Sequence, residues 1–126
     1  MATKRILLID DDPGIRQVVQ VTFKVITSWE TLVADACLMG IALAEAEQPD
    51  AILLDVMMPE MDGITAFHKM QENPATRKIP TILLTAKAQA SKRERFAQLA
   101  IAGVITKPFK PQDLVKQVRS ILGWRD

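Results

Sequence analysis

Cysteine and histidine occur once each in the 126 residues, as Cys37 and His68. One cysteine excludes an internal disulfide and a cysteine metal cluster, and a lone histidine lacks the partners that an imidazole metal site needs. Excess charge of either sign is missing too, since sixteen Lys and Arg face fifteen Asp and Glu for a formal charge of +1. No global field draws such a chain to nucleic acid or to a membrane surface, and with no helix-turn-helix pattern, indifference to DNA is the expectation. Uninterrupted apolar runs are far too short to span a bilayer, and no apolar leader segment opens the chain. Together with the unpaired cysteine, this leads to an expected reducing, cytoplasmic setting. Linkers, low-complexity tracts and helical-repeat periods are also absent, so one domain over residues 1–126 is expected.

What is present is an ordinary globular composition, 48% hydrophobic and 25% charged, able to bury a core. The stretch from Pro49 to Gly63 organises the rest. Ala51 to Leu54 is apolar throughout and is bounded by Pro49-Asp50 and Met58-Pro59, which predicts a short strand buried on both faces. Asp55 then stands where that strand ends, before a turn closed by Pro59 and Gly63. A carboxylate there is costly unless used, and open α/β sheets place their ligands at that edge.

The same pattern recurs along the chain. Lys4 to Ile9 is an apolar run ending in Asp10-Asp11-Asp12, and Pro13 opens a helix capped by Asp12, with Ile15, Val18, Val19, Thr22 and Ile26 at helical spacing. Leu32 and Val33 mark a strand within Trp29–Asp35, and Cys37 to Glu47 reads as a helix with Leu38, Ile41 and Ala42 inward despite Gly40. Asp62 caps a helix from Gly63, with Ile64, Phe67 and Met70 on one face and Asn73-Pro74 as its stop. Pro80 to Leu84 is a fourth strand ending at Thr85, and Ser91 to Ala102 reads as a surface helix. Val104 to Thr106 is a fifth strand, followed by Lys107-Pro108-Phe109 and a helix from Pro111 that stops at Gly123. Strand and helix alternate, so the predicted fold is α/β: a doubly wound five-stranded parallel sheet in the order 2-1-3-4-5, flavodoxin-like, as a three-layer sandwich.

That topology gathers Asp10, Asp11, Asp55, Thr85 and Lys107 at the carboxyl edge of the sheet, each at the end of a predicted strand. Three carboxylates against one ammonium leave surplus negative charge, which asks for a divalent cation. Magnesium suits the demand, being held by a few carboxylates, waters and a phosphate oxygen. The runs Ile9-Asp10-Asp11, Leu54-Asp55-Val56-Met57-Met58-Pro59 through Asp62-Gly63, Leu84-Thr85-Ala86 and Lys107-Pro108-Phe109 resemble, in order and spacing, the receiver domain of two-component response regulators, the CheY-like family. The resemblance covers essentially the whole chain. It implies that Asp55 accepts a phosphoryl group from a sensor histidine kinase or a histidine phosphotransfer protein. It further implies that Asp10, Asp11 and Asp55, with the Met57 backbone carbonyl, hold Mg²⁺, that Thr85 and Lys107 grip the phosphoryl oxygens, and that the Lys107–Pro108 bond is cis. The chain would then be a phospho-acceptor rather than a conventional enzyme, a stand-alone switch read by an unidentified downstream protein.

One departure is Val104, where many receivers carry an aromatic residue three positions before the lysine. Switching is therefore expected to run through the Thr85–Ser91 loop and the Ser91–Ala102 helix. Met57 and Lys87, two residues beyond Asp55 and Thr85, are expected to tune access of water to an acyl phosphate. The alternative from another class is a receiver-fold interaction module that works independently of phosphorylation. A flavin site is disfavoured by the lack of a Ser/Thr/Gly-rich loop after the first strand, and a haloacid-dehalogenase-type phosphatase by Met57, where a second Asp is wanted. Asp12 reads as a cap, His68 as a surface residue, Cys37 as a small buried hydrophobe, and Trp124 as a cover for the last helix or a contact.

Overall fold

Strands that are apolar on every residue need cover on both faces. The computed structural model, which describes residues 3–86 and 99–125, provides it. Strands β1 (Arg5–Ile9), β2 (Glu30–Ala34), β3 (Ala51–Asp55), β4 (Thr81–Ala86) and β5 (Gly103–Lys107) form one parallel sheet in the order β2-β1-β3-β4-β5. Among the described residues the helices are α1 (Pro13–Ile26), α2 (Cys37–Glu47), α3 (Gly63–Glu72) and α4 (Pro111–Leu122). This is the expected doubly wound sandwich.

Two cores follow from the alternation of side chains along each strand. Ile6, Leu8, Leu53, Ile82, Leu84 and Ile105 meet Val19 and Phe23 of α1 and Leu114, Val115 and Val118 of α4. On the other face Leu7, Ile9, Ile52, Leu54 and Leu83 meet Cys37 and Ala44 of α2 and Ala66, Phe67 and Met70 of α3. Each fully buried Leu or Ile contributes about 1.5–3 kcal/mol through removal from water, and most of these residues lie on the strands. On the first of these faces Trp124 meets Trp29 edge-on at 5.2 Å, and Trp29 meets Phe23 at 5.0 Å, so Trp124 packs against the core shared by α1 and α4.

Two helix faces differ from expectation. In α1 the buried stripe is Val19, Thr22 and Phe23, while Val18 and Ile26 are exposed at 42% and 45%. Neighbouring positions of this helix are both apolar, and packing chooses the stripe that carries the large Phe23. In α2 the buried residues are Cys37, Gly40 and Ala44, while Leu38 and Ala42 face solvent and Ile41 is half-buried. Gly40 supplies the reason: a Cβ there would lie 2.4 Å from Ile9 Cδ1. The helix sits so close to β1 that only small residues fit beneath it. The glycine expected to weaken the helix is what docks it.

Of the expected Ser91–Ala102 helix, residues 91–98 lie outside the described residues, as do Lys87 and most of the Thr85–Ser91 loop; the described residues 99–102 have no helical backbone. Val104 is half-buried and packs against the α2–α3 core.

Candidate functional site

Strand register decides which residues meet at the carboxyl edge. Ile9 pairs with Leu54, so the next residues, Asp10 and Asp55, emerge side by side. Asp55 pairs with Leu84, and Ala86 with Lys107, which brings Thr85 and the end of β5 to the same rim. Asp10 and Thr85 are fully buried, Asp55 is 5% exposed, and Asp11 stands in solvent. One carboxylate oxygen from each of Asp10, Asp11 and Asp55 lies within 4.8 Å of the others. All five predicted site residues that carry a side-chain role are thus at one edge.

The Lys107 ammonium bridges the two buried acids, donating to Asp10 Oδ2 at 2.8 Å and lying 3.2 Å from Asp55 Oδ1. The Lys107–Pro108 peptide that follows is cis. Burial holds the Asp55 carboxyl above its ordinary range, and the nearby Asp10 charge adds to this, while Lys107 offsets only part of the rise. Burial pulls the Lys107 ammonium down, but its hydrogen bond and charge contacts with Asp10 and Asp55 outweigh that, leaving its affinity for the proton raised. The pair is therefore an ionised lysine beside an acid that is reluctant to ionise alone.

Local backbone fixes these groups. The Asp12 side chain accepts from the amides of Gly14 and Ile15, so it is the cap of α1 and stays out of the cluster. Its own amide donates to Asp10 Oδ1 at 2.9 Å. The Met57 amide donates to Asp55 Oδ1 at 3.3 Å, which sets the turn after β3, with the Met57 side chain 61% exposed. Gly63 N–H donates to Val56 O at 2.9 Å, and a Cβ on Gly63 would lie 2.4 Å from Asp55 O, so α3 starts directly against the acceptor strand. Thr85 Oγ1 donates to Ala86 O at 3.3 Å. Cys37 donates its thiol proton to Met61 O at 3.1 Å, and burial, with the surrounding acids, pushes its pKa up to about 11, so it remains a neutral thiol. His68 is exposed.

One residue at this edge escaped the reading of the sequence. Arg16 Nη1 donates to the Asp10 carbonyl at 2.9 Å. The signal was its spacing: Arg16 lies three and seven residues before the buried Val19 and Phe23, so a cation stood on the inward stripe of α1 and needed an acceptor.

A family profile, the response regulator receiver domain, matches residues 6–119. The chain belongs to the response regulator receiver family. Among the receiver's curated relatives, the DNA-binding dual master transcriptional regulator RpaA of Synechocystis is 34% identical over 118 residues, covering 94% of this chain and 48% of RpaA. The phosphate regulon regulator PhoB of Pseudomonas aeruginosa is 33% identical over 122 residues, covering 97% of this chain and 53% of PhoB. The receiver spans about half the length of these relatives. Among solved structures it is similar to the chemotaxis protein CheY4 of Vibrio cholerae, with TM-score 0.86 and 27% identity over 95% of this chain and 99% of that one. It is also similar to the receiver domain of the sensor histidine kinase PA1611 of P. aeruginosa, which has a magnesium ion coordinated in its active site cleft. That likeness has TM-score 0.84 and 28% identity over 98% of this chain and 100% of the other. No helix among the described residues is long and apolar enough to cross a membrane.

Proposed function

We propose that this receiver takes a phosphoryl group onto Asp55 from a phosphohistidine of a sensor kinase or histidine phosphotransfer protein, and that the product alters a surface read by a downstream protein. The observation that carries the reading is the Lys107 ammonium held between the buried Asp10 and Asp55 carboxylates at 2.8 and 3.2 Å, with Asp11 completing the acid cluster. Structural carboxylates that merely cap helices have no need of a shared lysine from a different strand.

In the transfer, an Asp55 oxygen forms a bond to phosphorus as the donor's P–N bond breaks, and the bonding pair leaves with the imidazole nitrogen. Such transfers need positioning and charge neutralisation more than covalent help. Asp10, Asp11 and Asp55, with the Met57 carbonyl, would hold Mg²⁺. Three carboxylate oxygens within 4.8 Å fit a hard cation whose oxygen bonds are about 2.0–2.1 Å long, directly or through its waters. When bound, the cation supplies the positive charge that lets an anionic acceptor approach an anionic donor. Lys107 supplies a second positive charge from the protein itself. Thr85, whose hydroxyl donates to a neutral carbonyl at 3.3 Å, gains a charged acceptor once a phosphoryl oxygen is within reach. A turn of the Thr85 hydroxyl toward the phosphoryl group would carry its loop inward, the local event that a switch requires. The receiver thereby assists its own phosphorylation and dephosphorylation as a signalling phospho-acceptor.

Intact mass after incubation with a small phosphodonor and Mg²⁺ tests the reading. One added phosphoryl group is expected, absent in excess EDTA and located at Asp55 by peptide mapping after borohydride reduction. A wild-type chain that gains nothing would sink it and leave the phosphorylation-independent interaction module.

The surface beside the site suits a helical donor. Val18, Val21 and Val25 are 42%, 54% and 75% exposed and fall on one stripe of α1, whose start adjoins the acids. Val21→Glu is expected to slow transfer from a histidine phosphotransfer protein about tenfold, the size of a modest interface anchor. Gain from a small phosphodonor should be unchanged. Equal slowing with both donors would place Val21 in the fold rather than in docking.

A further inference from the structure

The Arg16 contact has no part in the scheme above. Asp10 is held at every polar atom: its N–H donates to Ala34 O at 3.0 Å, Oδ1 accepts from the Asp12 amide, Oδ2 from Lys107, and its carbonyl from Arg16. The first contact is ordinary sheet pairing with β2, and the next two fix the carboxylate. The carbonyl lies where β1 has run out and the chain turns toward Asp11, so no strand partner is available to it. A guanidinium reaching back from α1 fills that place with a charge-assisted bond at 2.9 Å, stronger than a neutral one. That bond also ties α1 to the peptide joining Asp10 to Asp11. Its location matters, because this peptide sets the direction in which the Asp11 side chain leaves the backbone. Arg16 is half-buried and lies three and seven residues before the buried Val19 and Phe23, on the same side of α1.

We infer that Arg16 is a positioning residue for the two acids at the end of β1. Its hydrogen bond to the Asp10 carbonyl orients the Asp10–Asp11 pair toward a shared cation, and its charge offsets part of the acid surplus. The inference rests on the proposed metal role of Asp10 and Asp11. Partners that orient metal-binding groups matter about tenfold or more to metal affinity when lost. Lysine at this place keeps a charge and a donor, while methionine keeps only the stem.

Calorimetric titration of the full chain with Mg²⁺ alone, without phosphodonor, tests this. Arg16→Met is expected to bind Mg²⁺ about tenfold more weakly than wild type. Arg16→Lys should recover most of that loss, staying within about threefold of wild type. Thermal unfolding in EDTA runs beside it. A residue that served the fold alone would lower the melting temperature in EDTA yet leave Mg²⁺ affinity unchanged at a temperature where the variant is folded, and that result overturns the inference. Should Arg16→Met fail to fold, Arg16→Gln replaces it, its neutral amide giving an affinity below that of Arg16→Lys; equal affinity of Gln and Lys variants with wild type overturns the inference equally. Absence of Mg²⁺ binding by wild type would remove the metal role itself, and the inference with it.

Discussion

Asp55→Asn is expected to abolish phosphoryl gain and, in EDTA at neutral pH, to make the domain more stable than wild type. The loss of gain is complete because an amide oxygen is a poor nucleophile toward phosphorus and no other group at the edge stands in the same place. The gain in stability follows from the folded environment. Burial and the Asp10 charge raise the Asp55 pKa, so the folded state favours the protonated form and resists its ionisation. A group raised in this way contributes stability fully below its unfolded pKa and loses it as pH rises through the folded value. At neutral pH wild type has therefore lost that contribution, whereas asparagine never titrates. Lys107 keeps Asp10 as a partner at 2.8 Å, so removing the Asp55 charge leaves no cation stranded. Relief of a buried like-charge pair is worth about 1 kcal/mol, or roughly 4 °C in melting temperature for a domain of this size. Mg²⁺ is expected to reverse the order: at one hundred times its Kd it would stabilise wild type by about 2.7 kcal/mol, while the variant would lack a proposed ligand. Melting curves from mildly acidic to neutral pH, with and without Mg²⁺, check each part. A variant less stable than wild type in EDTA at neutral pH would mean that Asp55 is held by more attraction than its surroundings display.

Opposite expected effects on phosphoryl gain and on stability at one residue are what acids placed for the proposed chemistry, rather than for stability, would give. A site built for stability would not bury two carboxylates around one ammonium. The sheet can tolerate them because its centre is secured elsewhere, by Leu7, Leu8, Leu53, Leu54, Leu83 and Leu84, all fully buried.

The strands and the gathering of the candidate residues at one edge were legible in the sequence for a common physical reason. Central parallel strands cannot carry a charge, so each acid or lysine that ends an apolar run marks the edge of the sheet, and Asp10, Asp55 and Lys107 announce themselves. The fold order followed from alternation of strand and helix. The phase of the helices was less legible. Val18-Val19, Val21-Thr22 and Val25-Ile26 offer two adjacent stripes of similar character, and only the docking of Phe23 against Trp29 separates them. In α2 the rule that larger side chains turn inward failed, because contact with Ile9 excludes them. Arg16 was half legible: its spacing puts a cation on the inward stripe of α1, but its acceptor is a backbone carbonyl, which no pattern of side chains marks.

Lys107→Met is the complementary case, expected to slow phosphoryl gain by about 10²–10³-fold and also to destabilise the domain. Methionine matches the length of the lysine stem, so packing is largely kept and the change is one of charge. In wild type the ammonium lies 2.8 and 3.2 Å from the Asp10 and Asp55 oxygens, beside the proposed phosphoryl acceptor. Its positive charge is present before the reaction, and loss of one such preorganised donor accounts for the rate. Loss of the same charge leaves Asp10 and Asp55 buried together with no ammonium between them. Breaking a buried pair in this way costs about 3 kcal/mol. The pH dependence distinguishes this from a packing defect. Contacts with the two acids raise the folded Lys107 pKa, so its contribution is fully present below the ordinary lysine range, near about pH 10, and is lost as pH rises through the higher folded value. Wild type and variant should therefore converge in stability at strongly alkaline pH. Below that range they should stay apart in EDTA, and Mg²⁺ should narrow the gap by supplying the missing positive charge. Phosphoryl gain measured at saturating Mg²⁺ isolates the kinetic share, since there the acids are already compensated. A variant that matches wild type in rate under those conditions would assign Lys107 to holding the acids together, with no part in receiving the phosphoryl group.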